Sequence, residues 1–271
     1  MNIKIGTQGW NYSDWISRPD ETIFYPHGTK SAEMLAVYAR AFETVEVDST
    51  FYAIPQQQTV ENWAKKTPDG FTFSLKLPRE ITHEAQLNKA SFQALDEFCE
   101  RALALKEKLA AVLIQLPPQF EADEEQVRAL LEFLPRLPKN IRFAVEFRSR
   151  SWFKGETLDV LRKHKVSLSL TDGSFVPRAF MFEAARKLTA DFVYVRFMGE
   201  RDLTRFDCVQ RKQDENLWLW HEVLSEIKAP MYVYFSNFYE GFAPTSVNKL
   251  KKMFRQETIQ FSELEDQPSL F

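Results

Sequence analysis

The sequence RFAVEFRSRSWF, residues 142–153, indicates how the rest of the chain is arranged. Apolar residues stand at every second position from Phe143 to Phe147, which is the period of a β-strand. The opposite face of this strand ends in an acid and a base two residues apart, Glu146 and Arg148. In α/β proteins, charged residues at the C-terminal end of a strand lie where binding and active sites are built.

Seven further stretches alternate in the same way, and helical patterns separate them. The other strands are predicted at residues 3–6, 44–48, 71–76, 110–116, 166–171, 192–197 and 231–236. The helices are predicted at residues 31–40, 59–66, 91–108, 123–134, 156–163, about 182–188, 214–227 and from 245 or 246 to about 254. Alternating strands and helices predict a parallel sheet. Eight such units in 271 residues fit a closed (β/α)8 barrel of the TIM type better than an open sheet.

No linker rich in Pro, Gly or Ser marks a second domain. We therefore predict one α/β barrel domain over residues 1–257 and an acidic C-terminal tail over residues 258–271. Seven of the eight glycines fall at strand ends or in strand-to-helix segments, where unusual backbone angles and close approach are needed. Long strand-to-helix loops are therefore expected at the C-terminal face of the barrel.

Composition limits the classes of function. The 35 basic and 38 acidic side chains give a net charge of −3, which argues against strong non-specific binding to nucleic acid. The two cysteines, Cys99 and Cys208, provide neither a disulfide framework nor a CxxC metal site. The first residues read as a strand rather than a signal peptide, and no apolar run approaches the ~20 residues that cross a bilayer. We expect a cytoplasmic protein without a membrane or nucleic-acid partner, and homo-oligomer formation stays open.

The second face of each predicted strand is polar, which is unusual for fully buried parallel strands. If the apolar faces pack on the helices, the following side chains project inward: Glu46, Asp48, Ser74, Lys76, Gln115, Glu146, Arg148, Thr171 and Arg196. Most of them lie near the C-terminal ends of strands and would converge on the barrel mouth. Because buried charge is costly unless it is paired or hydrated, we expect a wet, polar pocket there.

From this set we select Glu146, Lys76 and Asp48 as candidate catalytic residues, with Glu146 or Asp48 as the acid or base. The candidate ligand-binding residues are Arg148, Arg196, Gln115, Glu46, Trp10, Tyr12, Tyr25, Tyr52, His83, Trp152, Asp172 and Asn237. The aromatic members could form a stacking wall for a sugar, a base or another ring.

Each of these assignments has a structural alternative. Glu146 with Arg148, or Glu46 with Lys76, could be compensated ion pairs that fix barrel packing. The aromatic residues of the long first loop could form a second small core. His83 could be a hydrogen-bonded loop histidine rather than a base.

Metal and cofactor sites have less support in the sequence. The acidic candidates could ligate a metal, but no spaced His/Asp/Glu motif is present, so we expect neither a metal nor a cofactor. Phosphate could bind near Gly199, Gly241 and the N-terminus of the last helix, a region where such barrels often hold it.

Several motifs follow one another in order between residue 6 and residue 244. They are GTQGWNYSDW with FYP, VEVDSTFYAIP, FTFSLKLPREITH, VLIQLPPQF, AVEFRSRSW, YVRFMG and YVYFSNFYEGFAP. Together they resemble the YecE-like family, a domain of unknown function. The resemblance implies a TIM-type barrel and no established activity. It also implies a histidine where Met198 stands and an asparagine where Ser236 stands, so any chemistry of those two side chains would be altered in this chain.

Three functions are consistent with the sequence. The first is an enzyme acting on a small polar molecule, anionic or sugar-like, whose negative oxygens are oriented by Lys76, Arg148 and Arg196. These three cations end alternate strands, and alternate strands build one layer of such a barrel. The second is a non-catalytic ligand-binding or regulatory barrel. The third is a metal-dependent barrel of the isomerase or endonuclease type.

Overall fold

The computed structural model describes residues 2–265, which form one sheet surrounded by helices. The strands are β1 (Ile3–Gln8), β2 (Thr44–Val47), β3 (Thr72–Lys76), β4 (Leu109–Gln115), β5 (Phe143–Glu146), β6 (Ser167–Leu168), β7 (Leu170–Gly173), β8 (Val193–Gly199) and β9 (Met231–Phe235). All neighbouring strands pair in parallel. Their order across the sheet is β6-β5-β4-β3-β2-β1-β9-β8-β7.

The two ends of this sheet are consecutive pieces of one strand. β6 pairs with β5 and β7 pairs with β8, and only Ser169 separates β6 from β7. The backbone N–H of Ser169 donates to the carbonyl oxygen of Val145 at 2.8 Å, so the ring stays hydrogen-bonded at the interruption. Counted in this way, eight strands close into a barrel. The predicted single-domain barrel of the TIM type is confirmed, with one of its strands broken in two.

Helices cover the outside of the barrel between successive strands. They are α1 (Ser31–Ala41), α2 (Gln57–Lys65), α3 (Phe92–Ala102), α4 (Glu124–Phe133), α5 (Gly155–His164), α6 (Arg178–Ala185), α7 (Asp214–Ser225) and α8 (Ala243–Met253). The predicted helix 91–108 is shorter than expected, because its last six residues, Leu103–Lys108, form 3-10 turns with a positive φ of 54° at Lys106. Within residues 2–265, no helix is both long and apolar enough to cross a membrane.

The side chains inside the barrel change from apolar to charged along the barrel axis. Six side chains form a small apolar and aromatic cluster inside the ring: Ala111, Leu113, Ala144, Phe192, Tyr194 and Tyr234. The larger apolar core lies between the sheet and the helices, as the alternating pattern predicts. Towards the C-terminal ends of the strands, the interior positions carry the charged residues Glu46, Glu146 and Arg196.

The long loop after β1 contributes aromatic residues to the core outside the barrel. Trp15, Phe24 and Tyr25 are fully buried there, with ring centroids 4.8–6.0 Å apart. The 3-10 turn Phe261–Leu264 packs on these residues, with the Phe261 ring 5.2 Å from that of Phe24. Phe24 also packs on Tyr38 and Phe42, with centroids 6.2 and 5.6 Å away, so the loop residues extend the main core instead of forming a second one. The rest of the predicted acidic tail, residues 266–271, lies outside the described residues.

Candidate binding site at the barrel mouth

Arg196 on β8 is the centre of an ion network inside the barrel, and its side chain is 0% exposed. Its Nε and Nη2 atoms donate to the two carboxylate oxygens of Glu46 on β2, at 3.0 and 2.7 Å. Its Nη1 atom donates to the Glu146 carboxylate on β5 and to Oε1 of Gln115 on β4, the latter at 3.2 Å. One guanidinium group thus binds residues from three other strands. Its hydrogen bonds to the carboxylates are strong and directional, because both partners are charged and the contact with Glu46 is bidentate.

The acids of this network are further hydrogen-bonded by neutral side chains. Glu46 also accepts from Nε2 of Gln8 at 2.6 Å and from the Tyr194 hydroxyl at 2.7 Å. Glu146 accepts a bond of 3.3 Å from Oγ1 of Thr171. Buried charges tolerate removal from water only when they are paired and hydrogen-bonded in this way.

The charge states of the network follow from these contacts. Burial by itself would raise the pKa of Glu146, but the charges of Arg196 and Arg148 outweigh it and hold the pKa at about 2. Burial would lower the pKa of Arg196, and Glu146 and Glu46 reverse that effect and raise it. A carboxylate with such a low pKa is a weak proton acceptor at neutral pH. The role predicted for Glu146 as acid or base therefore does not fit its environment, and the role it can fill is to position Arg148.

Arg148 lies beyond the end of β5, on the solvent side of the same carboxylate. Its Nε atom donates to Oε1 of Glu146 at 2.7 Å, and its guanidinium carbon is 4.8 Å from the centre of the Phe175 ring. Its terminal nitrogens make no hydrogen bond to any residue between 2 and 265. Arg148 borders a cavity of about 360 Å³, here called the mouth cavity. Its other lining residues include Glu146, Thr171, Phe175, Met198 and Arg201.

Lys76 at the end of β3 forms a second charged pair beside the mouth. Its Nζ atom is 3.2 Å from Oδ1 of Asp48 and 4.7 Å from the centre of the Phe51 ring. The pairing of Glu46 with Lys76 considered above is wrong. Because β2 and β3 pair with Glu46 opposite Ser74, the register brings Lys76 beside Asp48 instead.

His83 packs on the Phe51 ring that also contacts Lys76. Its ring centroid is 5.0 Å from that of Phe51, and its Nδ1 atom is 2.9 Å from Oγ1 of Thr82. Burial, together with the smaller effects of the positive charges of Arg148 and Lys76, lowers the pKa of His83 to about 4. His83 is therefore neutral at pH 7 and experiences a positive electrostatic potential from the mouth.

The aromatic candidates do not form one stacking wall. Trp152 is buried and stacked between two phenylalanine rings at 4.7 and 5.3 Å, and Tyr25 is buried in the first loop, so neither can contact a ligand. Trp10 and Tyr12 are half-buried against neighbouring tryptophan rings, at 5.9 and 4.7 Å. Tyr52 is 73% exposed.

Two polar candidates also lie away from the mouth cavity. Asp172 follows Thr171 on β7 and therefore faces the helices, where it binds Nε1 of Trp220 at 2.8 Å and Nη2 of Arg178 at 3.2 Å. Asn237 caps a helix, because its Oδ1 atom accepts the first backbone N–H of α8 at 3.0 Å. The structure thus brings together Glu46, Gln115, Glu146, Arg148 and Arg196 in one network. Beside it, Lys76 with its partner Asp48, His83 and Tyr52 surround the Phe51 ring, whereas Tyr25, Trp152, Asp172 and Asn237 lie elsewhere.

Some residues of the site were missed by sequence reasoning. Tyr194 lies two positions before Arg196 on the same strand face, so extending the alternation by one step would have identified it. Phe175 and Arg201 line the mouth cavity from loops, where no periodic pattern exists. Met198, where the family resemblance implies a histidine, lines the cavity and accepts a hydrogen bond from Gln8 at 3.2 Å.

The carboxylates of the network are engaged by cations rather than grouped for metal binding. Glu46 and Glu146 both bind Arg196, and Asp48 binds Lys76. In the part of the chain that the structure describes, no three His, Cys, Asp or Glu side chains are placed to hold a metal ion together. The geometry therefore provides no observation in favour of the metal-dependent hypothesis.

These features define a single-domain parallel α/β barrel with an internal ion network and a polar cavity at the C-terminal ends of its strands. The model of the family described as "Protein of unknown function DUF72" matches residues 4–269, so the chain belongs to the DUF72 family. The predicted family resemblance is confirmed.

The relatives agree with this assignment. UPF0759 protein YunF of Bacillus subtilis is 27% identical over 97% of this chain and 97% of its own length. UPF0759 protein YecE of Escherichia coli K12 is 30% identical over 81% of this chain and 82% of its own length. Among solved structures, a DUF72 family protein from Thermotoga maritima MSB8 has a TM-score of 0.74 and 26% identity, covering 94% of this chain and 100% of that chain.

Proposed function

We propose that the mouth cavity binds a small anionic molecule and that the protein is an enzyme acting on it. The observation that carries this proposal is the geometry of Arg148. Glu146 fixes the guanidinium through Nε, while the terminal nitrogens make no bond to residues 2–265 and are available to a ligand beside the mouth cavity. An arginine oriented in advance loses little conformational entropy when it binds a carboxylate or phosphate.

The electrostatics of the mouth favour the same ligand class. Each interior acid is already bound to a cation, whereas Arg148 and Arg201 both border the cavity. The lowered pKa of His83 reports a local positive potential, since Arg148 and Lys76 contribute to it after burial. A bound anion would offset these charges. The C–H face of a sugar or the flat face of an aromatic ligand could pack on Phe175.

Within this proposal, His83 is a better candidate for proton transfer than Glu146. A bound anion would raise the pKa of His83 from about 4 towards neutrality, where a group exchanges protons most effectively. Lys76 and Asp48 lie outside the lining of the mouth cavity, so they would act on the ligand through their charge rather than by direct contact. The non-catalytic alternative differs only in that the bound anion leaves unchanged.

The experiment compares Arg148→Ala with wild type in thermal melts, with and without sulfate, inorganic phosphate or sugar phosphates. At a hundred times its dissociation constant, a ligand stabilises a protein by about 2.7 kcal/mol, or roughly 5 °C at this size. We expect that gain in wild type and a clearly smaller gain in Arg148→Ala, because the terminal nitrogens of Arg148 are lost from the mouth cavity. The matched control is Arg142→Ala, because Arg142 is an exposed arginine at the other end of β5 and should leave the gain intact.

Turnover is tested separately by incubating wild type and His83→Gln with phosphorylated and carboxylated metabolites and following products by mass spectrometry. Product formation by wild type, with binding but no product for His83→Gln, would support the enzyme. Binding without product in wild type would favour the regulatory barrel. An anion gain of the same size in Arg148→Ala and wild type would contradict the proposed site.

A further inference from the structure

A second cavity of about 240 Å³ adjoins the mouth cavity on the other side of the ends of β7 and β8. Gly173 and Gly199 are paired across these two strands and line both cavities. The second cavity is further lined by Asp172, Arg178, Arg211, Asn216 and Tyr239. None of its chemistry enters the function proposed above.

Two hydrogen-bond donors of this cavity are buried without partners. Tyr239 is 2% exposed, and its hydroxyl bonds to no residue within 2–265. The Nε atom of Arg178 is also buried and makes no bond within that range, although Nη1 donates to Asn216 at 2.8 Å and Nη2 to Asp172 at 3.2 Å. Buried polar groups are almost always hydrogen-bonded, so two unpartnered donors lining one cavity indicate that an acceptor binds there.

The position of Tyr239 is fixed by the backbone around it. Gly199 has a φ of +65°, and a Cβ atom there would lie 2.1 Å from the carbonyl oxygen of Phe238. Only glycine permits the end of β8 to approach the segment before Tyr239 so closely. The Tyr239 ring then packs against Phe197 and Phe235, with centroids 5.1 and 5.5 Å away. The hydroxyl is therefore held in place before any ligand arrives.

The protonation and charge of the cavity favour an anionic acceptor. Burial and the carboxylates of Asp172, Glu240 and Asp214 raise the pKa of Tyr239 and Arg178 opposes them, so the Tyr239 hydroxyl is a donor at neutral pH. Glu240 and Asp214 are both paired with Lys249. Arg178 begins α6 and Asn216 lies in the first turn of α7, and helix N-termini attract negative charge. The two lining carboxylates are already paired, Asp172 with Arg178 and Glu200 with Arg211 at 3.9 Å.

We propose that the second cavity is a binding subsite for an anionic oxygen group, a carboxylate or a phosphate, that accepts hydrogen bonds from the Tyr239 hydroxyl and Arg178 Nε. The subsite can bind an anion without the mouth cavity being occupied, because its two donors belong to Arg178 and Tyr239, which do not line the mouth cavity. It shares Gly199 with the phosphate site considered from the sequence, whereas Gly241 and the N-terminus of α8 do not line it.

The test uses Tyr239→Phe, which removes the hydroxyl and keeps the ring. In buffer without phosphate or carboxylate, we expect this variant to melt at or above the wild-type temperature. The reason is that a buried hydroxyl without a partner destabilises the folded state, and the substitution removes it. Calorimetric titration with inorganic phosphate and with acetate should show about tenfold weaker binding than in wild type. Tyr234→Phe is the control, since its hydroxyl bonds to Thr44 and Ser74 at 2.8 Å and its removal should lower the melting temperature.

The same titrations with Arg148→Ala separate the two cavities. Binding that survives in Arg148→Ala and is lost in Tyr239→Phe places the anion in the second cavity, and Arg178→Lys should weaken it likewise. The proposal is overturned if Tyr239→Phe binds both anions as wild type does. It is also overturned if Tyr239→Phe melts lower in anion-free buffer, because the hydroxyl then has a structural partner.

Discussion

Arg196 and Arg148 bind the same carboxylate from opposite sides, yet the two regions around them differ in kind. Arg196 has no exposed surface and is engaged by Glu46, Gln115 and Glu146. Arg148 has one bond to Glu146, and its side chain keeps 9% of its surface exposed. Arginine therefore stabilises the barrel at position 196 and can bind a ligand at position 148. The difference is the number of guanidinium N–H groups that already donate hydrogen bonds within the protein.

This comparison corrects one expectation from the sequence. Lys76, Arg148 and Arg196 were grouped as one set that contacts a ligand, because all three end alternate strands. The structure distributes them over separate pairs, with Lys76 on Asp48 and Arg196 on Glu46 and Glu146. Arg196 can influence a ligand only through Glu146 and Arg148, since it is fully buried.

The largest expected effect distinguishes these two arginines. Arg196→Met leaves two carboxylates inside the barrel without their main partner, and removing one member of a buried ion pair costs about 3–5 kcal/mol. Arg148→Ala removes one charged hydrogen bond at the rim and should cost less, about 1.5–3 kcal/mol. Urea unfolding at pH 7 measures both free energies.

A triple variant tests the reason for that loss. If unpaired charge is the cause, adding Glu46→Gln and Glu146→Gln to Arg196→Met should restore much of the stability, because neutral replacements of buried ion networks are often tolerated. Equal costs for Arg196→Met and Arg148→Ala would remove the distinction between an interior and a rim arginine.

The second prediction concerns pH. The pKa of Glu146 is about 2 in the folded protein and 4.5 ordinarily, so its ionised form favours the folded state. This contribution is fully present above pH 4.5 and is lost as the pH falls towards 2. At about 1.4 kcal/mol for each pKa unit, it amounts to about 3 kcal/mol. The measurement is the free energy of unfolding from pH 6 to pH 2.5.

Glu146→Gln supplies the control for that titration. The variant should be less stable at pH 7 and should lose less stability between pH 5 and pH 2.5 than wild type. If its pH profile runs parallel to that of wild type, the acid sensitivity comes from other carboxylates, and Glu146 is not held in its ionised form by the two arginines.

The interior network could be predicted from the sequence because it depends on strand alternation. Glu46, Gln115, Glu146 and Arg196 all occupy inward positions near strand ends, so their convergence follows from period and topology. The choice of partners could not be predicted, because it depends on the register between strands. That register places Lys76 beside Asp48 rather than Glu46.

The loops show where sequence reasoning fails. A tryptophan in a strand-to-helix loop can stack on a ligand or fill a core, and composition does not distinguish these outcomes. Trp152 fills a core because Phe120 and Phe147 enclose it. Arg178 and Tyr239 line one cavity because separate loop and helix segments pack together, and no spacing in the sequence records that placement.

The smallest expected effect lies at the rim, in the pair of Lys76 and Asp48. Asp48 keeps 36% of its side-chain surface exposed, and exposed ion pairs contribute about 0.2–1 kcal/mol. The contact of Lys76 with the Phe51 ring adds an attraction of similar size that does not involve Asp48. A double-mutant cycle of Lys76→Met and Asp48→Asn should therefore give a coupling below about 1 kcal/mol.

Salt provides the sharper comparison between rim and interior. The coupling of Lys76 with Asp48 should shrink between low salt and about 0.5 M salt, because exposed charges are screened. The cost of Arg196→Met should change little over the same range, since water and ions do not reach Arg196, which is 0% exposed. A coupling above about 2 kcal/mol that is insensitive to salt would mean that Lys76 and Asp48 belong to the buried network. The rim would then be part of the barrel's structural interior, and Lys76 could not orient a ligand without destabilising the fold.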